Sequence, residues 1–302
     1  MAISRSQLAK ELEPGLNALF GLEYDRYDSE HAEIFDEESS DRAFEEDVML
    51  SGFSTAPVKS EGGSVNFDDA QETYTARYTH ETIALAFSIT EEAVEDNLYD
   101  RLAGRYTRAL ARSMSQTKQI KAAAVLNNAF TAGASAIGDG VALCASTHPT
   151  INGTQSNVLS VAADLNETSL EQMLIDVAGA KDERGLKVAI RGTKLIIPKE
   201  LQFIAERLLN SNLRPGSADN DINATKSMGM LPEGAVVNHF LTDTDAFFIK
   251  TDCPNGFKLF QRTPLRTAME GDFDTGNMRY KARERYSFGV SDWRCAFGTP
   301  GA

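Results

Sequence analysis

Cysteine is scarce in this 302-residue chain: Cys144, Cys253 and Cys295 stand far apart with no CxxC pair. That excludes a disulfide framework and a zinc-binding cysteine cluster. No run of about eighteen apolar residues occurs, and the polar start from Met1 to Glu13 lacks the basic and apolar regions of a signal peptide. These absences predict a soluble chain, made and kept in the cytoplasm without a membrane partner. Catalytic signatures are missing as well. There is no GxSxG, HExxH or P-loop; Gly138 and Gly140 open a glycine pattern that Leu143 breaks; His31, His80, His148 and His239 are isolated from one another. Asp219, Asp221 and Asn223 start like a calcium loop, but Ala224 and Met230 stand where glycine and glutamate are needed; Gly276 similarly spoils Asp272 and Asp274. The chain is therefore expected not to be an enzyme, with no cofactor and no metal.

Basic charge is also in short supply. The net charge of −14 argues against a protein whose main task is gripping nucleic acid. Between Glu11 and Asp47 lie 14 acidic residues and 2 basic ones, so nearly all of the acidity belongs to one N-terminal segment. Aromatic residues are interleaved with it (Phe20, Tyr24, Tyr27, Phe35, Phe44). Solvated tails usually lack these, which points to an arm that becomes ordered by lying on another subunit. Ahead of it, Leu8, Leu12, Leu16, Leu19 and Phe20 form a short amphipathic piece that Pro14 and Gly15 are expected to interrupt.

The pattern organising the chain runs from Ile89 to Phe130. Ser88 and Glu91 fit a capping box, and Val94, Leu98, Leu102, Tyr106, Leu110 and Met114 recur every fourth residue. This predicts one helix of roughly 60 Å, which suits a spine. Before it, Val48 to Phe67 reads as a projecting hairpin turning at Glu61, Gly62 and Gly63, with Lys59 exposed near the tip as a candidate contact to a neighbour. Alternation places Tyr74, Ala76 and Tyr78 on one strand face, then Ile83, Leu85, Phe87 and Ile89 on another. A helix is expected over 164–184, capped by Thr168 and Glu171 and ended by Gly185, then a strand over 193–197 and a helix from Pro198 to about Leu209. Residues 211–229 read as a long exposed loop, and 236–241, 246–250 and 256–261 as strands. In the last strand, 278–290, Met278, Tyr280, Ala282, Tyr286, Phe288 and Val290 share one face, with Glu284 the single exception. Arg279, Lys281, Arg283 and Arg285 share the other. The basic face is expected to meet the acidic arm, within or between subunits. His148 is expected to be a hydrogen-bonded loop histidine. Together the elements predict an α+β fold.

The order of acidic arm, extension, spine helix, α+β body and final long strand, with the texture of 74–97 (YTARYTHETIALAFSITEEAVEDN) and 146–159 (STHPTINGTQSNVL), resembles the major capsid proteins of tailed phages. The closer likeness is to Mu-like major head subunits, whose fold encapsulins share. The resemblance implies an N-terminal arm at 1–43, an extended loop at 44–82, a peripheral domain at 83–163 containing the spine helix 89–130, an axial domain at 164–260, and a return to the peripheral domain at 261–302. It further implies a shell of hexamers and pentamers around phage DNA, which is enclosed without specific binding. Localisation would be the virion capsid, with the host cytoplasm during assembly; portal, scaffold or decoration proteins are possible partners. A scaffolding segment, which some relatives carry ahead of the arm, would here be separate, removed or not used. The candidate assembly contacts are Phe20, Tyr24, Phe35, Lys59, Gly62, Gly63, Arg279, Lys281, Arg283 and Arg285. The alternatives are a compartment holding protein cargo, as in encapsulins, or a soluble hydrolase whose site forms only on folding.

Overall fold

Two long antiparallel strands, β10 (Phe257–Gly271) and β11 (Met278–Val290), frame the molecule. The computed structural model describes residues 5–26, 29–90, 92, 99–133, 137–213, 221–272 and 275–302. The other edge of β11 pairs antiparallel with β4 (Glu81–Ile89), and β10 pairs in parallel with the short β1 (Asp36–Ser39), giving the order β1-β10-β11-β4. β11 alternates as its sequence predicts: Tyr280, Ala282 and Tyr286 are buried, while Arg279, Lys281 and Arg283 are exposed. Opposite β11, the register of β10 slips twice, between Gln261 and Thr263 and between Thr263 and Arg266. Pro264, which has no N–H to give a ladder, lies in this irregular stretch.

Helices α1 (Arg5–Tyr24) and α2 (Tyr99–Asn127) cover the apolar face of this sheet. Leu16 and Phe20 of α1, Leu110 and Met114 of α2, and Tyr280 and Ala282 of β11 form one core. Burying each large apolar side chain is worth about 1.5–3 kcal/mol. The spine helix does not span the whole of 89–130; α2 as described has 29 residues, about 43 Å. Ser88 and Ile89 end strand β4, where pairing with Arg279 and Met278 overrides the helix-capping signal, and Phe130 lies in a turn beyond the helix. Glu91 and residues 93–98 lie outside the described residues. α1, in contrast, runs uninterrupted through Pro14 and Gly15. Proline in a helix costs about 3 kcal/mol, which the burial of Leu16 and Phe20 offsets.

The second sheet has the order β12 (Ala296–Thr299), β9 (Phe247–Thr251), β7 (Gly192–Ile197), β8 (Ala235–Val237). Both of its faces are buried, which explains the apolar runs 195–197 in β7 and 247–249 in β9. Leu195, Ile197, Phe247 and Ile249 meet helices α3 (Glu167–Ala178) and α4 (Gln202–Asn210). Their neighbours Ile196 and Phe248 point the other way, into a central core with Leu126, Phe257 and Trp293 that joins the two sheets.

Several boundaries differ from expectation. α3 is capped by Asn166 and Ser169, whose side chains each bond the other's backbone N–H at 2.9 and 3.0 Å, rather than by Thr168 and Glu171. It ends at Ala178, and Gly185 instead serves a tight turn at φ 86° between the bridged Lys181 and Lys187. The expected loop at 211–229 contains a short helix, α5 (Ala224–Met228), while its residues 214–220 lie outside the described residues. β10 continues ten residues past Gln261, and β12, which the sequence does not announce, pairs with β9. The end of the segment 261–302 thus lies in the second sheet. Among the described residues, no helix is long and apolar enough to cross a membrane.

Candidate assembly surface

The acidic arm is docked on its own subunit. Phe20 stacks on Tyr24 and lies against Tyr280, while Phe35 meets Phe257 and Phe288 edge-on at 5.3 and 5.0 Å. Phe20 and Phe35 are buried, so the expectation that they wait for a neighbouring subunit is corrected: their own sheet covers them. The carboxylates are placed the same way. Glu33 meets Lys194 of β7 at 2.6 Å, Glu38 and Asp47 meet Lys258 of β10 at 3.4 and 2.8 Å, and Glu23 meets Arg112 of α2 at 3.2 Å. Lys250 of β9 donates to the Ile34 carbonyl at 2.8 Å. Burial alone would pull Lys194 and Lys258 below the usual lysine range, but the bonds to Glu33 and Glu233, and to Asp47 and Glu38, outweigh it and hold both above.

Tyr24, at the end of α1, reaches an internal polar cluster. Its hydroxyl donates to Glu284 Oε2 at 3.3 Å, and Lys118 Nζ of α2 lies 4.0 Å from the same oxygen. Glu284 is fully buried on the apolar face of β11, and its other oxygen has no hydrogen-bond partner. Burial pushes this carboxyl above the usual range, with Lys118 and Tyr24 opposing in part. Close by, burial and the Lys118 charge pull the His31 imidazole down to about 4, against a bond to Gln119 that raises it. Sequence parity marked Glu284 as the exception on its face; its partners were not foreseeable.

Beyond the body, β2 (Phe44–Leu50) and β3 (Glu72–Thr79) form an antiparallel ribbon that carries the loop 51–71. Gly63 N–H donates to the Ser60 carbonyl at 3.1 Å, and Gly62 has φ 76°. This is a turn whose third position requires positive φ, hence glycine. Lys59, Gly62 and Gly63 lie exposed at this tip. The loop carries Phe53, Val58, Val65 and Phe67, exposed by 60%, 100%, 64% and 97%. At the base, Gly138 has no room for a side chain: a Cβ there would lie 1.9 Å from the Thr75 carbonyl oxygen.

The basic face of β11 stands apart from the arm. Arg279 pairs with Asp272, and no ion pair joins Lys281, Arg283 or Arg285 to an arm carboxylate among the described residues. Among the described residues, the meeting of basic face and acidic arm is thus not made within the subunit.

The remaining polar constellation holds the body together. His148 Nδ1 lies 2.6 Å from Asp139, its Nε2 lies 3.1 Å from Asn157 Oδ1, and its ring stacks on Trp293 at 4.4 Å. The Asn157 amide donates to the carbonyls of Leu143, Trp293 and Ala296 at 2.7–3.2 Å. His148 and Asn157 are fully buried, which is the geometry of a structural tie. The expected hydrogen-bonded histidine therefore has its partners nine residues upstream and nine downstream. No group of three metal-ligating side chains occurs among the described residues.

A family model described as "Phage capsid protein" matches residues 73–298. The chain belongs to this phage capsid protein family. The solved capsid of Cyanophage P-SCSP1u is similar at 13% identity, covering 89% of this chain and 86% of that one, with a TM-score of 0.59. The capsid of Myoviridae Phage XM1 is similar at 12% identity, covering 89% of both chains, with a TM-score of 0.53. A virus-like particle from Pyrococcus furiosus is similar at 9% identity, covering 94% and 97%, with a TM-score of 0.54. No curated protein matches the chain. At such identities the solved structures show the fold alone: the mixed α+β phage capsid fold. Membership supplies the function: this is a structural major capsid protein of the virion shell, from a family that builds by self-association. For a capsid protein the site is its contact surface, and the candidates divide accordingly. Phe20, Tyr24 and Phe35 serve the subunit's interior, whereas Lys59, Gly62, Gly63 and the basic residues of β11 lie outward.

Proposed function

We propose that the capsid protein assembles as hexamers and pentamers into an icosahedral shell around phage genomic DNA, and does so in the host cytoplasm without catalysing a reaction. In this reading 1–43 is the arm, 44–82 the extended loop, 83–163 with the long strands of 261–302 the peripheral domain, and 164–260 with β12 the axial domain. Portal, scaffold and decoration proteins would meet the completed shell, and the DNA would be enclosed without specific binding. The Mu-like likeness has its support in the texture of 74–97 and 146–159.

The observation carrying the proposal is the loop 51–71. It presents Phe53, Val58, Val65 and Phe67 to water beyond a two-stranded ribbon, although the subunit's own cores bury residues of the same kinds. Exposed apolar side chains gathered on one projection mark a protein interaction site. Through repeated symmetry-related contacts, modest individual overlaps become strong together.

The test is negative-stain electron microscopy with light scattering on the purified protein at low and moderate salt, beside a variant with residues 53–67 replaced by a short glycine-serine link. Closed shells or flat hexamer arrays are expected from the natural chain. The loop variant should remain small while keeping its melting temperature. A small discrete oligomer from the natural chain under every condition would overturn the proposal.

A further inference from the structure

Residues 101–138 contain four arginines, two lysines and no acidic residue, in a chain whose net charge is −14. Arg105, Arg108 and Arg112 follow one another at spacings of three and four residues along α2, so they stand in a single stripe. Ala103, Leu110, Ala111 and Met114 of the same helix are buried in the core with α1 and β11, which turns the stripe outward. All three arginines are exposed, and the exposed Ala109 among them leaves nothing bulky above the helix backbone.

Neither Arg105 nor Arg108 has a carboxylate partner among the described residues. Arg112 shares Glu23 with Arg26, so one carboxylate serves two guanidiniums at 3.2 Å each. Like charges at these spacings weaken a helix, and the subunit supplies too few anions to relieve them. The basic face of the sheet differs. There Arg266 of β10 lies directly across from Arg283 of β11, but Glu270 stands opposite Arg279, which Asp272 also binds, so carboxylates interleave with the cations. That face also points away from α2, which packs on the opposite, apolar side of β11.

Spacing and chemistry select the anion. From Arg105 to Arg112 the helix rises about 10.5 Å, and over that length one strand of duplex DNA presents about three phosphates. The guanidinium fork also matches a phosphate with two parallel hydrogen bonds. We propose that Arg105, Arg108 and Arg112 form a seat for the sugar-phosphate backbone of double-stranded DNA. The inference rests on the shell reading and adds to it the surface that meets the enclosed DNA. Contacts to phosphate read no bases, so the seat is indifferent to sequence. So few of them are reversible and let the duplex slide past.

The test is fluorescence anisotropy of the full-length, unassembled subunit with short labelled duplexes of two unrelated sequences, across a sodium chloride series. Both duplexes should bind alike, with a slope of log affinity against log salt of about −2.7, or about −0.9 for each of three phosphates. Arg105→Gln with Arg108→Gln should bring the slope to about −0.9 and weaken binding at least tenfold at low salt. Arg105→Lys with Arg108→Lys should keep the slope, and Arg266→Gln with Arg283→Gln should leave it unchanged. Melting temperatures are compared first. To cover the case in which losing two arginines impairs folding, Ala109→Glu puts a good helix former and a negative charge inside the stripe, and should weaken binding equally. A natural chain that ignores DNA, stripe variants that bind as the natural chain does, or an equal loss from Arg266→Gln with Arg283→Gln would overturn the inference. The same variants are scored for shells by electron microscopy. A stripe variant that binds DNA normally but no longer assembles would assign the stripe to a protein contact and equally overturn it. Natural chains that bind DNA through the stripe yet form no shell would overturn the shell reading and leave the seat standing.

Discussion

Replacing Lys118 with methionine strips its cation from a carboxylate that the fold buries completely, and the cost follows from the geometry. At the observed 4.0 Å, two unit charges attract by about 4 kcal/mol at an effective dielectric constant of about 20. The loss has a ceiling, because Glu284 can take up a proton instead. Neutralising a carboxyl of ordinary pKa about 4.3 costs about 3.7 kcal/mol at pH 7 and about 1 kcal/mol at pH 5. Glu284 is already raised in the natural protein, so Lys118→Met should lose about 2–3 kcal/mol at pH 7 and less than about 1 kcal/mol at pH 5. The sign is that of a group whose folded pKa exceeds its unfolded value: its contribution is present below the unfolded value and is lost as pH rises through the folded one. His31, lowered by burial and by the same lysine, acts in the same direction: without that cation its ring takes up a proton more readily, so the variant loses less stability on acidification than the natural protein does. The assay is urea unfolding of the unassembled subunit from pH 5 to 8, with Glu284→Gln added to Lys118→Met as the control that flattens the profile. An equal loss at pH 5 and pH 7, or one below about 0.5 kcal/mol throughout, would refute the reasoning.

Three further outcomes follow from the packing. Asn157→Ala removes the donor to three buried carbonyls and the acceptor for His148, and should cost about 3 kcal/mol or more in thermal unfolding. Arg294→Met leaves Glu183 and Asp292 without their buried guanidinium at 2.7 and 3.1 Å; a loss of about 3–5 kcal/mol is expected in urea titrations. Gly138→Ala drives a methyl group into the Thr75 carbonyl, so hydrogen exchange should accelerate in β2 and β3 while the protection of β7 and β9 stays unchanged.

Much of the frame was legible because period-two patterns are local: β3 and β11 present the faces their alternation predicts, and β4 does so except at Leu85, which is exposed. Local signals failed where a distant partner decides. The capping pattern at Ser88 yielded to strand pairing, and Pro14 yielded to the packing of α1 on α2. The largest error concerned the arm, expected to become ordered by lying on another subunit. Its neutralising lysines lie far along the chain, yet they carried a readable mark: Lys194, Lys250 and Lys258 each interrupt an apolar strand. A lysine in such a place needs a carboxylate or carbonyl brought to it. On the contact surface, the loop tip and the basic face were legible from turn residues and parity, whereas Arg266 was missed because β10 was expected to stop at Gln261.

The slipped register around Pro264 gives the long β10–β11 pair a soft joint. On one side of it, Phe257 and Leu259 are locked into the central core; on the other, Leu265 and Met269 ride against α1 and α2. Bending concentrated where ladder bonds are already broken disturbs neither core. One amino-acid sequence can thereby present its two ends at slightly different angles, which is what a closed surface demands of identical tiles that must lie flat in one place and curve in another.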